Sequence, residues 1–356
     1  MVRVAVGLSG GVDSTLAILL LKEQGYDVVG LSMSFYNPDI PNMKESVNSC
    51  YGPKEKTDYK QAQIWAKKEG IETVILDCSN EYKQIVLKYF KEAYLEGVTP
   101  NPCIKCNAEM KFGLLLEKAQ KEGVQFDYFA TGHYARVYEK EGRYILAKGK
   151  DEKKDQSYFL YRLTQDQLSK VLFPLGDYLK EDVRKMALER NLPVAEKKDS
   201  QDFYSGDYTD LLEQAPKKGV IRHIKGTVLG EHQGFFNYTI GQRKGLGIAY
   251  PVPLYVVELD AENNEVIVAE KEATFQKSCV AKEVVWGGVL LFDTVEMPVQ
   301  AKYRSAGKCV PATLKVKSKD EIEVVFDEPQ SALTKGQSVV CYNLEGEVIC
   351  GGIITA

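Results

Sequence analysis

Eight residues near the start of the chain, Gly7, Leu8, Ser9, Gly10, Gly11, Val12, Asp13 and Ser14, constrain its fold more than any others. They lie between an apolar run at 4–8 and a segment with helical spacing at 14–22. In a strand–loop–helix of this kind, small residues let backbone N–H groups approach an anion. The helix N-terminus adds its positive end, and the Ser9 and Ser14 hydroxyls are donors. This is the pattern of a phosphate cradle; a plain glycine turn, the rival reading, has no need of that context. No Gly-Lys-Ser/Thr follows, so it is not a Walker loop, and the glycine spacing is not that of a dinucleotide fingerprint.

A loop of this kind belongs at the end of a parallel sheet, and the first 200 residues supply one. Apolar runs at 28–33 and 72–76 alternate with helical spacing at 58–68 and around Ile85, Tyr89 and Ala93. Alternation of this kind predicts an α/β unit with ligands beyond the carboxyl ends of the strands. From about Gly206 helical periodicity is lost. The chain passes through Gly241, Gly245 and Gly247 into strands at 254–259 and 265–269, and its last 80 residues or so alternate in twos, as in Ile322, Val324 and Phe326. That predicts a small all-β barrel or sandwich. The expected units are 1–205, 206–275 and 276–356, with 36–56 as a lid-like loop.

The 356 residues suffice for two or three domains with real cores. A hydrophobic share of 44% excludes disordered and collagen-like classes. No apolar run reaches the roughly 18 residues of a membrane span, and nothing resembles a secretion signal, so the expectation is a cytoplasmic protein with no membrane partner. The formal charge of −4 argues against a general coat for nucleic acid and leaves room for a local basic site.

Eight cysteines are too dilute for a disulfide scaffold. Two of them stand close together in Thr99, Pro100, Asn101, Pro102, Cys103, Ile104, Lys105, Cys106, Asn107, ahead of a helical stretch with Met110, Phe112 and Leu115 as its apolar positions. Pro102 suits a first helical position, so both thiols are expected at a helix N-terminus, where the dipole favours thiolate. A thioredoxin-like dithiol, structural zinc and inert packing are the rivals; no second Cys-x-x-Cys completes a zinc site. Cys78, Cys279, Cys309, Cys341 and Cys350 read as packing residues.

The Ser-Gly-Gly-Val-Asp-Ser string resembles the PP-loop ATP pyrophosphatases (adenine nucleotide alpha hydrolase-like), in which Asp13 would help hold Mg²⁺ or the phosphates. Further strings extend the resemblance over nearly the whole chain: Lys111-Phe112, Ala130-Thr131-Gly132-His133-Tyr134, Lys198-Asp199-Ser200-Gln201, and Tyr238-Thr239-Ile240-Gly241-Gln242-Arg243-Lys244-Gly245-Leu246-Gly247. With the cysteine segment, they resemble the bacterial tRNA-specific 2-thiouridylases, the MnmA family. The resemblance implies a PP-loop domain, a small central domain and a C-terminal β-barrel. It also implies replacement of O2 of the wobble uridine, position 34, by sulfur at the cost of ATP. Met33 and Gly132 match positions near the adenosine, and Asn101, Pro102 and Cys103 match the segment beside the target base. Lys154, Asp155, Gln156, Lys302 and Tyr303 match contacts to the tRNA anticodon arm. Cys106 matches the catalytic cysteine. The sulfur donor would be sulfide or a relay protein fed by a cysteine desulfurase.

Three departures stand out. Lys302 replaces an expected arginine, Cys103 stands where many members carry Asp, and residues 199–206 lack the second catalytic cysteine that many members carry there. Sulfur must still reach an activated C2. One route is a [4Fe-4S] cluster held by Cys50, Cys103 and Cys106, with Cys78 as the reserve third ligand; the other is a persulfide–disulfide relay between Cys103 and Cys106. Chemically, transfer of AMP to O2 makes that oxygen a leaving group, and the base must flip out to be reached. Lys153, Arg243, Lys244, Arg304, Lys315 and Lys317 could line the path of the RNA or be ordinary surface charges. His133 could face the adenosine or simply pack. A PP-loop ligase for a small metabolite and a non-catalytic RNA binder are the rival functions.

Overall fold

The computed structural model describes residues 1–36, 49–199, 202–204, 206–288 and 296–356. Its first unit is built on a five-stranded parallel sheet in the order Glu72–Asp77, Asp27–Ser34, Arg3–Gly7, Tyr128–Ala130, Val171–Leu172. Arg3–Gly7 is central, and its Val4, Ala5 and Val6 are fully buried because both faces are covered. From this strand the chain crosses to Asp27–Ser34 on one side, whereas Tyr128–Ala130 pairs on the other. The order of the sheet therefore reverses at the carboxyl end of Arg3–Gly7, which is where a ligand crevice opens in such sheets.

Helix Val12–Glu23 leaves that end with Leu16, Ala17 and Ile18 fully buried. Leu16 and Ile18 each contribute about 1.5–3 kcal/mol by that burial. Helix Glu55–Lys68 begins three residues ahead of the sequence expectation, its first turn carrying the acidic pair Glu55 and Asp58. Of the expected lid loop, 37–48 lie outside the described residues, as do Ser200, Gln201 and Ser205. Ser49–Tyr51 forms a short parallel pair with Asp202–Tyr204.

Beyond the sheet, a four-stranded sheet runs Val228–His232, Gly219–His223, Glu265–Ala269, Tyr255–Asp260, and six antiparallel strands from Phe275–Trp286 to Val348–Ile354 close into a barrel. Ile322, Val324 and Phe326 point into the barrel and are fully buried, as their alternation predicts. Lys315 and Lys317 lie on its outside, paired with Glu296 at 3.0 Å and Glu323 at 2.8 Å. No helix among the described residues is long and apolar enough to cross a membrane.

Candidate active site

The glycine loop sits at the switch point. Gly10 has φ +73°, and a Cβ there would lie 2.9 Å from the Asp58 carbonyl oxygen, so the turn and the close approach of helix Glu55–Lys68 both demand glycine. Gly132, arriving from strand Tyr128–Ala130, presses on the loop so closely that a Cβ would meet the Asp13 carbonyl carbon at 2.7 Å. The helix N-cap is Gly11, which supplies no side-chain cap, so the first-turn N–H groups are left for a ligand. The Ser9 and Ser14 hydroxyls lie 3.2 Å apart.

Above the loop is a cavity of about 390 Å³, a size suited to a nucleotide. Gly7, Leu8, Ser9, Gly11, Val12, Asp13, Ser14, Met33 and Gly132 all line it, and so do Cys50, Lys154 and Gln156. Four lysines not singled out for the ATP site also reach it: Lys111, Lys180, Lys197 and Lys198. Lys180 is 7% exposed, its ammonium 2.7 Å from both carboxylate oxygens of Asp13 and 2.8 Å from Asp199 Oδ1. The Tyr134 hydroxyl donates to Asp13 at 2.8 Å, and Lys154 pairs with the other Asp199 oxygen at 2.8 Å. Lys197 donates to the Gly10 carbonyl at 2.9 Å and pairs with Asp58 at 2.7 Å.

His133, in the same wall, accepts from or donates to the Thr131 hydroxyl through Nδ1 at 2.7 Å and lies between Phe112 and Phe173. Burial, aided by the charge of Lys111, pushes its pKa down to about 3, so the imidazole is neutral.

Asn101 caps the cysteine-bearing helix by accepting the Ile104 N–H at 3.3 Å, with Pro102 in the first turn. From Cys106 to Leu114 this helix widens to π geometry, a feature that sequence periodicity did not reveal. In i→i+5 geometry, residues five apart come round to nearly the same face, which brings Lys111 toward Cys106. Gln167 holds the wide turn by donating to the carbonyls of Ala108 at 3.2 Å and Phe112 at 2.9 Å. Burial opposes the charge on Lys111, but the sulfurs of Cys106, Cys50 and Cys103 outweigh it and raise its pKa. Lys111, whose side chain lines the ATP-side cavity, thus feels the charge of all three sulfurs. Cys103 and Cys106 themselves stand outside that lining.

Three expectations need correction or restriction. Cys106 is not a dipole-stabilised thiolate: burial pushes its thiol up to about 11, with Lys111 only partly offsetting this. Cys78 is fully buried in packing, and burial raises it to about 11 as well. Among the described residues, no group of three His, Cys, Asp or Glu is placed to hold a metal ion. Cys50, Cys103 and Cys106 thus do not fit a cluster as they stand. Each Asp13 oxygen accepts from Lys180.

The residues expected to face RNA divide in two. Lys154 is exposed beside Asp199, and Gln156 accepts the Tyr134 N–H at 2.9 Å. Asp155 is turned inward, accepting from Gly149 and Ser157, and Lys302 is buried 3.9 Å from it. Tyr303 is buried with its hydroxyl donating to Gln330 at 3.1 Å.

A parallel sheet with a phosphate loop at its switch point and a lysine-lined cavity beyond it define a phosphate-binding HUP-type domain, here joined to two β units. Three family models match in succession: the tRNA methyl transferase HUP domain over 2–204, the tRNA methyl transferase PRC-barrel domain over 210–270 and the aminomethyltransferase beta-barrel domain over 276–354. The chain belongs to the tRNA-specific 2-thiouridylase MnmA family. It is 46% identical to the member from Endomicrobium trichonymphae, covering 99% of this chain and 98% of that one. Identity to the member from Clostridioides difficile (strain 630) is 43%, over 98% and 97%. The solved structure of NMN synthetase from Francisella tularensis aligns with 60% of this chain and 66% of its own at TM-score 0.31 and 16% identity.

Proposed function

We infer that the protein is a tRNA-specific 2-thiouridylase: it adenylates O2 of uridine 34 with ATP and replaces that oxygen by sulfur, in the cytoplasm. The observation that carries this reading is the shared cavity, which the phosphate loop, Cys50 and Lys111 of the cysteine-bearing helix all line. ATP is the nucleotide that the family implies, delivered with Mg²⁺. The loop N–H groups and nearby lysines would hold its phosphates while uridine O2 attacks the α-phosphorus and pyrophosphate leaves. Sulfur then attacks C2 and AMP departs.

For the sulfur, the placement of Cys103 one turn ahead of Cys106 supports the relay. The terminal sulfur of a Cys106 persulfide attacks C2 and expels AMP. The Cys103 thiolate then attacks Cys106 Sγ, releasing 2-thiouridine and leaving a disulfide for an external dithiol to reduce. The alternative carrier is a [4Fe-4S] cluster on Cys50, Cys103 and Cys106, which would first have to draw together, since among the described residues they form no metal-holding group. Exposed Lys153, Lys154, Arg243, Lys244 and Arg304 are the cations proposed for the anticodon arm. The unit boundaries near 205 and 275 are proposed likewise.

The test is incubation with unmodified tRNA, ATP and sulfide, or a persulfide donor with a dithiol. Expected are 2-thiouridine by mass spectrometry, AMP and pyrophosphate in equal amounts, and loss of product in Cys106→Ser. Pyrophosphate released only with a small acid supports a ligase, and none at all a binder. Methylated tRNA from a methyl donor without ATP cleavage supports the chemistry in the family models' names. Iron in anaerobically purified protein, lost in Cys50→Ala, supports the cluster, and an iron-free, fully active protein the relay.

A further inference from the structure

Five lysines line the cavity, and three of them are already paired with its carboxylates. Lys180 holds Asp13 and Asp199, Lys154 holds Asp199, and Lys197 holds Asp58. Lys198 is exposed. Lys111 is half-buried, and among the described residues its ammonium has neither a carboxylate nor a hydrogen-bond acceptor. A cation withdrawn from water without a partner is costly, so in a cavity wall Lys111 is suited to an anion brought by a ligand.

The fold places this lysine between the two reactive features. Its neighbour Phe112 packs edge-on against Phe129 with ring centroids 5.4 Å apart, and the tip of the Phe129 ring would lie 3.4 Å from a Cβ on Gly7, where the phosphate loop begins. One aromatic ring therefore separates its helix from the loop. In the other direction, Lys111 shares the wide turn Cys106–Leu114 with Cys106, and Asn101, Pro102 and Cys103 open the same helix.

That place narrows the choice of anion. The uncapped N–H groups and the two serine hydroxyls stand at the loop itself and suit the outer phosphates, which leave together as pyrophosphate. The phosphate that must approach the target base is the α-phosphate. We propose that Lys111 is a catalytic residue that holds the α-phosphate, first in ATP and then in the O2-adenylate. In the first step O2 bonds to the α-phosphorus, pyrophosphate leaves with the electron pair of the broken P–O bond, and the uridine N3 proton passes to solvent. In the second, sulfur bonds to C2, N3 regains a proton, and AMP leaves with O2. Both steps gather negative charge on the α-phosphate, where a fixed ammonium is worth most. The assignment rests on the ATP-dependent reading above and deepens it.

Calorimetry on the full chain tests it in wild type, Lys111→Met and Lys111→Arg. Pyrophosphate is titrated first, then adenosine or AMP into the pyrophosphate-loaded protein, so that only AMP brings the group in question. Expected in Lys111→Met is a fall of about tenfold or more in the AMP-to-adenosine affinity ratio, partly recovered in Lys111→Arg, with pyrophosphate affinity within about twofold of wild type. With unmodified tRNA and ATP, AMP formation should fall about a hundredfold in Lys111→Met, as when a preorganised donor to a developing charge is removed. An AMP-to-adenosine ratio unchanged in both variants overturns the proposal, and so does an equal loss of AMP and pyrophosphate. Wild type that binds none of the three ligands overturns the proposed function itself, a distinguishable result.

Discussion

Glu55, buried with its Oε1 accepting from the Ser34 hydroxyl and the Phe35 N–H at 2.8 Å each, supplies the sharpest prediction about stability. Burial raises its pKa from 4.5 to about 7, opposed only in part by the hydrogen bonds from Ser34, Phe35 and Tyr36 and the charge of Lys56. Between those values the folded protein keeps a proton that the unfolded chain has released. Stability therefore falls as pH rises through this window and levels off above about 7. A shift of this size corresponds to about 3 kcal/mol once Glu55 is ionised. Glu55→Gln removes the titration and keeps the Oε1 contacts, though its amide adds an unpaired donor worth about 1 kcal/mol. At about pH 8 the variant should be more stable than wild type by roughly 2 kcal/mol, and at about pH 5 equal or slightly less stable. The chain has three units, so the probe must report on the right one. Trp65 lies buried on helix Glu55–Lys68, and the other tryptophan, Trp286, is on a barrel strand. Urea unfolding followed by Trp65 fluorescence in a Trp286→Phe background isolates the sheet unit. A stability difference between variant and parent that is the same at both pH values refutes the reasoning.

Three further outcomes follow from the same geometry. Lys180→Met leaves Asp13 and Asp199 without their shared ammonium and should cost the sheet unit about 3 kcal/mol or more; Asp13→Asn combined with it should recover part, and strict additivity in the double-mutant cycle would count against the network. His133, held neutral by burial with a pKa near 3, should keep the NMR shifts of an uncharged imidazole down to about pH 4, where an ordinary histidine is fully protonated. Gln337→Ala removes two hydrogen bonds onto Thr99 and Pro100, and should slow thiolation several-fold while ATP affinity stays within about twofold; equal loss of both would argue against a selective effect on the thiol segment.

The sheet and the barrel were legible because each announces itself in neighbouring residues. A phosphate loop needs its glycines and hydroxyls in one contiguous turn, and barrel strands repeat in twos. The rest of the site is assembled from afar. Lys180 opens an ordinary amphipathic helix, Lys180–Glu189, and nothing local says that its ammonium reaches back to Asp13. Glu55 looks like the acidic first turn of a surface helix and is 6% exposed. The wide turn at Cys106–Leu114 left no mark in apolar spacing, because α and π geometry differ by one residue per hydrogen bond while Met110 and Phe112 are buried either way. The thiolate expectation at Cys106 failed on magnitude: a helix dipole is worth up to about 2 kcal/mol, less than the desolvation of a fully enclosed thiol. Lys302 read as a surface cation, yet it lies between Asp155 and the ring of Tyr158.

The division of labour between the units follows from where the two reactive features are anchored. The phosphate loop hangs from the central strand of the sheet, so its position is fixed by the deepest core in the molecule. The thiol segment is tied down from the other side: Thr99 donates its N–H to the Lys335 carbonyl at 3.0 Å, and Gln337 donates to the carbonyls of Thr99 at 3.0 Å and Pro100 at 3.1 Å. Both partners come from the barrel, in the turn before strand Ser338–Tyr342. The hairpin 135–148 adds a second tether, with Tyr138 and Lys140 bonded to Glu347 at 2.7 and 2.8 Å. The separation between phosphate and sulfur is thus set by how the barrel docks on the sheet unit. A force on the barrel acts first on Asn101, Pro102 and Cys103, the residues expected beside the flipped base, and reaches the loop only through the core. Sulfur delivery is accordingly the step that a shift of the barrel can adjust, while the phosphate loop stays with the sheet.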